Sequence, residues 1–247
     1  MATIRCRDVI FQNIQAVLFD KDGTLSDSQA FLRNLGQKRS RLIDAQIPGV
    51  QEPLLMAFGA DGEHISADGL LAVGTREENE IAAAAYVAET GRGWFEALEI
   101  VQFAFTEADG YLKRKAIHTP PFEGGQELLA LLSAKGIKVG IVSADSTANV
   151  EDFVQCYGLE DYIQVRMGAD KGGMAKPDPA CLRLACDFLN VSPTTTLMVG
   201  DSQADLLMAR NADAAGFVAV TWGWPQAISL ANVDASIDRF DEIQLIS

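Results

Sequence analysis

The chain is short of positive charge, of cysteine and of long apolar runs. Lys and Arg number 20 against 34 Asp and Glu in 247 residues, a formal net charge of −14. Such a surplus opposes docking on phosphate backbones or anionic lipid, which argues against nucleic acid and membrane surfaces as partners. The four cysteines, Cys6, Cys156, Cys181 and Cys186, show no C-x-x-C pairing, so reduced thiols are expected rather than disulfides or zinc. No apolar stretch approaches the roughly 18 to 20 residues that cross a bilayer. The opening Met1-Ala-Thr-Ile-Arg-Cys-Arg lacks the apolar centre of a secretion signal, and a soluble, cytoplasmic protein is expected. The two histidines, His64 and His118, stand in polar stretches and read as bystanders. What is present is 48% hydrophobic and 22% charged, the composition of a packed core. The length suits a domain of about 150 residues with a sizeable insertion, or two small domains.

From Ile137 onward, short β-branched runs alternate with segments of helical period. The runs are Ile137 to Val142, Tyr162 to Val165, Thr196 to Val199 and Phe217 to Val220; Thr147 to Tyr157, Pro179 to Leu189 and Gln203 to Ala212 lie between them. Gln126 to Ala134 reads as a helix stopped at Gly136, and Ala16 to Phe19 as a central buried strand. Val9-Ile10-Phe11 suggests a further short strand. Right-handed crossovers make this an α/β three-layer sandwich around a parallel sheet, spanning residues 1–26 and 115–247. Residues 27–114 differ in texture. Gln29 to Ile43, Arg76 to Ala88 and Trp94 to Leu112 read as helices, with Thr75 and Glu78 forming a capping box, so an inserted helical subdomain is expected.

In open α/β sheets reactive groups collect at the carboxyl ends of the strands. Here those ends read Asp20-Lys21-Asp22-Gly23-Thr24, Ser143-Ala144-Asp145 and Gly200-Asp201-Ser202-Gln203-Ala204-Asp205, with Lys176-Pro177 ahead of another helix. Singly, each has an ordinary structural explanation: Asp22-Gly23 a turn, Ser143 a helix-start hydroxyl, Lys176 a surface lysine, Asp201 an N-cap. Jointly those explanations are poor. Two carboxylates at one buried strand end repel each other and require a compensating cation.

Asp-x-Asp-Gly-Thr, a strand-end Ser, Lys-Pro and Gly-Asp-x-x-x-Asp, in that order, resemble the haloacid dehalogenase superfamily of phosphohydrolases. The branch it is most similar to is the phosphoglycolate-phosphatase type, with a helical cap after the first motif. The resemblance covers nearly the whole chain and implies a phosphatase of small phosphorylated metabolites. It implies Asp20 as nucleophile, forming an aspartyl-phosphate, and Asp22 as general acid and then base. The Asp22 pKa is expected to be raised by its carboxylate neighbours. A magnesium ion is implied on Asp20, the Asp22 carbonyl and Asp201, with Asp205 behind them. Ser143 and Lys176 would bind the phosphate.

The second aspartate, Asp22, speaks against a carbon–halogen or phosphonate-cleaving member. A β-phosphoglucomutase-like transferase and a catalytically idle binding protein stay open as alternatives, and the oligomeric state is left unassigned. Lys21 replaces the usual apolar residue of the first motif, and Ser-Ala-Asp at 143–145 replaces a Ser-Asn-Lys-like run. In the cap, Ala72-Val73-Gly74-Thr75-Arg76 is similar to the family's substrate loop, which makes Arg76 a candidate anion clamp. An equally good reading of Arg76 is a first-turn residue pairing with Glu80.

Overall fold

A computed structural model describes residues 2–60, 63–170, 174–225 and 230–246. Its centre is β3 (Ala16–Phe19), four consecutive buried side chains, as a strand covered on both faces requires. It pairs in parallel with β4 (Lys138–Val142) and β6 (Thr196–Gly200), Phe19 standing level with Ile141 and Val199. The sheet continues through β5 (Val165–Met167), β7 (Gly216–Val220) and β8 (Ala235–Ile237) in the order β5-β4-β3-β6-β7-β8, all parallel. A second, antiparallel sheet joins β1 (Ala2–Cys6), β2 (Val9–Ile14) and β9 (Ile243–Ile246) in the order β2-β1-β9. Apolar clusters lie on both faces of the central sheet, one around Phe19, Ile141 and Phe153, the other around Leu18, Leu182 and Phe217. The architecture is the expected α/β sandwich.

The helices of the sandwich are α6 (Gly125–Ala134), α7 (Thr147–Cys156), α8 (Pro179–Leu189) and α9 (Gln203–Asn211). The insertion carries α1 (Gln29–Asp44), α2 (Gln51–Phe58), α3 (Leu70–Val73), α4 (Arg76–Glu89) and α5 (Trp94–Leu112). These pack around an apolar core of their own, to which Phe58, Ala83, Ala84 and Phe105 contribute. Thr75 and Glu78 form the reciprocal capping box that opens α4. No helix among the described residues is long and apolar enough to cross a membrane. The four cysteines are free.

The strand expected at Tyr162 to Val165 begins only at Val165. The Tyr162 and Ile163 amides instead donate to Leu159 O at 3.0 and 3.1 Å, a turn that still buries Ile163. β1, β8, β9, α2 and α3 have no counterpart in the sequence reading, being short or paired across the length of the chain.

Candidate active site

The parallel register decides which groups meet. One step beyond Phe19, the Asp20 amide donates to Val199 O at 2.9 Å, bringing the ends of β3 and β6 together. Asp20, Asp201 and Asp205 are buried, with one carboxylate oxygen from each within 4.8 Å of the others. Lys176, from the loop before α8, places Nζ 2.7 Å from Asp20 Oδ1 and 2.8 Å from Asp205 Oδ1. The other Asp205 oxygen accepts from the Ser202 hydroxyl at 2.6 Å, in the capping box of α9. Asp205 thus gives one oxygen to Lys176 and the other to the capping box of its own helix.

Asp201 accepts from Thr24 Oγ1 at 2.8 Å and from Trp224 Nε1 at 2.5 Å. Trp224 also belongs to the apolar core of the insertion, so one indole touches both the acidic cluster and the helices above it. The neighbouring Trp222 donates Nε1 to Thr24 O at 3.0 Å. These contacts press the 221–225 loop against the 20–25 loop. A Cβ on Gly23, whose φ is +84°, would stand 2.6 Å from Asp201 Oδ2, so glycine is required there.

Three buried carboxylates share one ammonium group in this cluster. Burial, opposed by Lys176 and reinforced by Asp205 and Asp201, raises the Asp20 pKa well above the ordinary range. Burial and the Asp205 charge push Asp201 up to about 6. The deficit of positive charge and the all-oxygen donor set fit a hard divalent cation.

Asp22, two residues on, faces a different environment. Lys21 Nζ lies 2.6 Å from Asp22 Oδ1, and Lys115 Nζ lies 2.7 Å from Oδ2. Both lysines also hold Asp145, Lys115 at 2.6 Å and Lys21 at 3.2 Å. Asn149 Nδ2 and the Ser146 amide donate to the remaining Asp145 oxygen at 2.7 and 2.8 Å. Burial raises the Asp22 pKa, but Lys115 and Lys21 outweigh it, and the net shift is downward. The expectation of a raised value is corrected by two lysines, Lys115 from 93 residues away and the adjacent Lys21, which turns back onto Asp22. The two departures from the family motifs, Lys21 and Asp145, turn out to be partners: a fully buried cation replaces an apolar residue where a nearly buried carboxylate faces it.

Ser143 is buried at the end of β4, its amide donating to Met167 O at 2.9 Å and its hydroxyl accepting from the Asp145 amide at 3.1 Å. Arg76 lies away from the acidic cluster, on the wall that the inserted helices give to a cavity that Asp22 also lines. Its guanidinium is paired with Glu80 at 2.7 Å and with Asp109. The pairing with Glu80 and a place on the cavity are thus both realised. Sequence reasoning did not find Trp224, Trp222 or Lys115. The tryptophans follow β7, and the strand-end rule that located the aspartates applies to them equally.

An acidic cluster with one lysine at the carboxyl edge of a parallel sheet, under an inserted helical unit, defines a hydrolase of the doubly wound α/β class. Residues 14–213 match the family model described as haloacid dehalogenase-like hydrolase, and the chain belongs to that family. It is 31% identical over 199 residues to the N-acetylmuramic acid 6-phosphate phosphatase of Pseudomonas putida, covering 81% of this chain and 79% of that one. It is 29% identical over 238 residues to a phosphoglycolate phosphatase of Vibrio vulnificus, covering 94% and 95%. In fold it is similar to a crystal structure of a predicted phosphoglycolate phosphatase from Haemophilus somnus (TM-score 0.68, 20% identity, 93% and 96% covered).

Proposed function

We propose that the protein is a magnesium-dependent phosphatase of a small phosphomonoester, of the phosphoglycolate or sugar-phosphate type, working through an aspartyl-phosphate on Asp20. The observation that carries this reading is the Asp20–Asp201–Asp205 cluster with its single lysine. The names of the two curated relatives described above, both phosphatases, support it. Asp20 and Asp201 would hold the metal, with the Asp22 carbonyl, while Asp205 fixes Lys176. When bound, magnesium supplies charge neutralisation for the phosphate oxygens.

The protein's own groups account for the remaining work. Lys176 holds Asp20 by Oδ1 and is charged at all working pH values, its pKa being held up against burial by Asp20 and Asp205. It orients the nucleophile and offers a cation to the phosphate. The Ser143 hydroxyl donates to a phosphate oxygen from the neighbouring strand end. The Asp20 carboxylate attacks phosphorus, the ester P–O bond breaks, and the departing alkoxide takes a proton from Asp22. Asp22 then removes a proton from the water that attacks phosphorus, releasing phosphate and restoring Asp20. With no substrate Asp22 is anionic, held by Lys21 and Lys115. Acting first as an acid requires that hold to loosen as the leaving group enters. Lys115 lies where the insertion returns to the sandwich, so residues 27–114, acting as a cap, can deliver that change on closing.

The test is phosphate release from an aryl phosphate with magnesium, followed by acid quench of a reaction with phosphorus-labelled substrate. Label should stay on the wild-type protein and be absent from Asp20→Asn. Turnover unaffected by a chelator, or label retained in Asp20→Asn, overturns the reading.

A further inference from the structure

A cavity of about 350 Å³ opens between the insertion and the strand ends, with Asp22 on its sandwich side and Arg39, from α1, on its cap side. Arg39 is only 6% exposed and its Nε has no hydrogen-bond partner. Its one ion pair, Nη2 to Asp109 Oδ1, is 3.4 Å long, against about 2.7–2.9 Å for a well-made charge-assisted bond. Arg76, by contrast, is paired twice, with Glu80 and with Asp109. Beside Arg39 the same wall carries Asn79, 3% exposed. Its Nδ2 donates to Leu70 O at 3.1 Å and Thr75 O at 2.8 Å, while Oδ1 is unpartnered. A buried donor and a buried acceptor are thus both left unsatisfied in one wall, which proteins rarely tolerate without a ligand to complete them.

Resting on the phosphatase reading, we infer that this wall recognises the leaving group, and that the alcohol released is a ring-sized acid whose carboxylate meets Arg39 and whose hydroxyl or amide N–H meets Asn79. Size supports the first element. The volume lies at the lower end of the range of about 300–1,000 Å³ that encloses ring-sized ligands. At about 30 Å³ per water it holds on the order of a dozen waters, and a two-carbon acid would leave most of them in place. Phe31, Leu35 and Leu71 on the cap side offer apolar surface to the C–H face of a ring. Charge supports the second element, since a guanidinium with one long ion pair and a free N–H favours an anion in a chain that is otherwise strongly acidic.

The experiment compares kcat/KM with magnesium for glucuronic acid 1-phosphate, glucose 1-phosphate and phosphoglycolate. The ring acid should exceed its neutral counterpart by roughly tenfold to hundredfold, the range of one charged hydrogen-bonded contact, and should exceed phosphoglycolate. Arg39→Gln should reduce the acid-to-neutral ratio to within about twofold. Equal rates for acid and neutral esters, phosphoglycolate as the best substrate, or an unchanged ratio in Arg39→Gln overturns the inference. Should the buried substitution prevent folding, calorimetric titration of wild-type protein with free glucuronate and glucose decides without a variant and without turnover. Glucuronate should bind about tenfold tighter or more; equal or undetectable binding overturns the proposal. If no ester releases phosphate while glucuronate still binds selectively, the phosphatase reading fails and the recognition stands.

Discussion

Asp20 and Asp22 are two residues apart, yet they sit in opposite electrostatic environments. Around Asp20, three buried carboxylates share Lys176, and the pKa values of Asp20 and Asp201 rise. Around Asp22, two carboxylates meet Lys21 and Lys115, and the pKa values of Asp22 and Asp145 fall. The first cluster is short of positive charge and fits an added cation; the second is already neutral. Charge balance, more than the number of aspartates, separates a group that an added cation would complete from one that its own lysines already complete.

The sharpest way to break this comparison is at Asp20, the proposed nucleophile. Asp20→Asn removes one of the crowded carboxylates, so the fold should be kept while turnover of an aryl phosphate drops by about a thousandfold or more, roughly 4 kcal/mol of barrier. Residual activity near wild type would place the chemistry elsewhere. The neutral cluster should respond the other way, in stability. Lys21 is fully buried, and Lys21→Leu leaves the nearly buried Asp22 and Asp145 carboxylates, 12% and 13% exposed, sharing Lys115. Removing one partner of a buried pair costs about 3–5 kcal/mol, so a loss near 3 kcal/mol is expected on denaturant unfolding. Adding Asp145→Asn restores one anion to one cation and should recover most of that loss. Simple additivity of the two substitutions would show that Lys21 and Asp145 are not coupled.

A smaller effect tests the cation-deficient cluster without mutation. Asp201 has a folded pKa of about 6 against an ordinary 3.8, so between those values the metal-free folded state binds more protons than the unfolded state. Stability contributed by this group therefore falls as pH rises through about 4 to 6, by an amount on the order of 3 kcal/mol. Magnesium should offset the loss, raising the melting temperature at pH 7.5 more than at pH 5. An equal rise at both values would contradict the assignment of Asp201 to the metal.

The residues of the first cluster are legible in the sequence because each closes a strand or opens a helix, and the parallel register then brings Asp20, Ser143 and Asp201 to one edge. The state of Asp22 is not legible. Lys115, which holds it, is 93 residues away and arrives only when the insertion folds back. Lys21 is visible in the sequence, but its direction is decided by Asp145 on another strand end. The small sheet is hidden for a related reason: β1 pairs with β9, Thr3 opposite Ile246, a contact between the two ends of the chain that no local periodicity records. Local pattern reveals what a strand end carries, and long-range packing decides which charges neutralise it.

Arg76 tests how far the cap contributes to that difference. Its side chain is 45% exposed, and its pairs with Glu80 and Asp109 are screened by solvent, so Arg76→Gln should cost no more than about 1 kcal/mol of stability. The functional effect should appear in KM and be indirect. Without Arg76, Asp109 is left to Arg39, whose 3.4 Å contact can tighten and draw the guanidinium away from the cavity. For an acidic ester, KM should rise a few fold, less than in Arg39→Gln, while kcat stays near the wild-type value because Asp20 and Lys176 are untouched. A fall in kcat with constant KM would instead place Arg76 at the transferring phosphate, and the cap would then contribute to the chemical step as well as to selection.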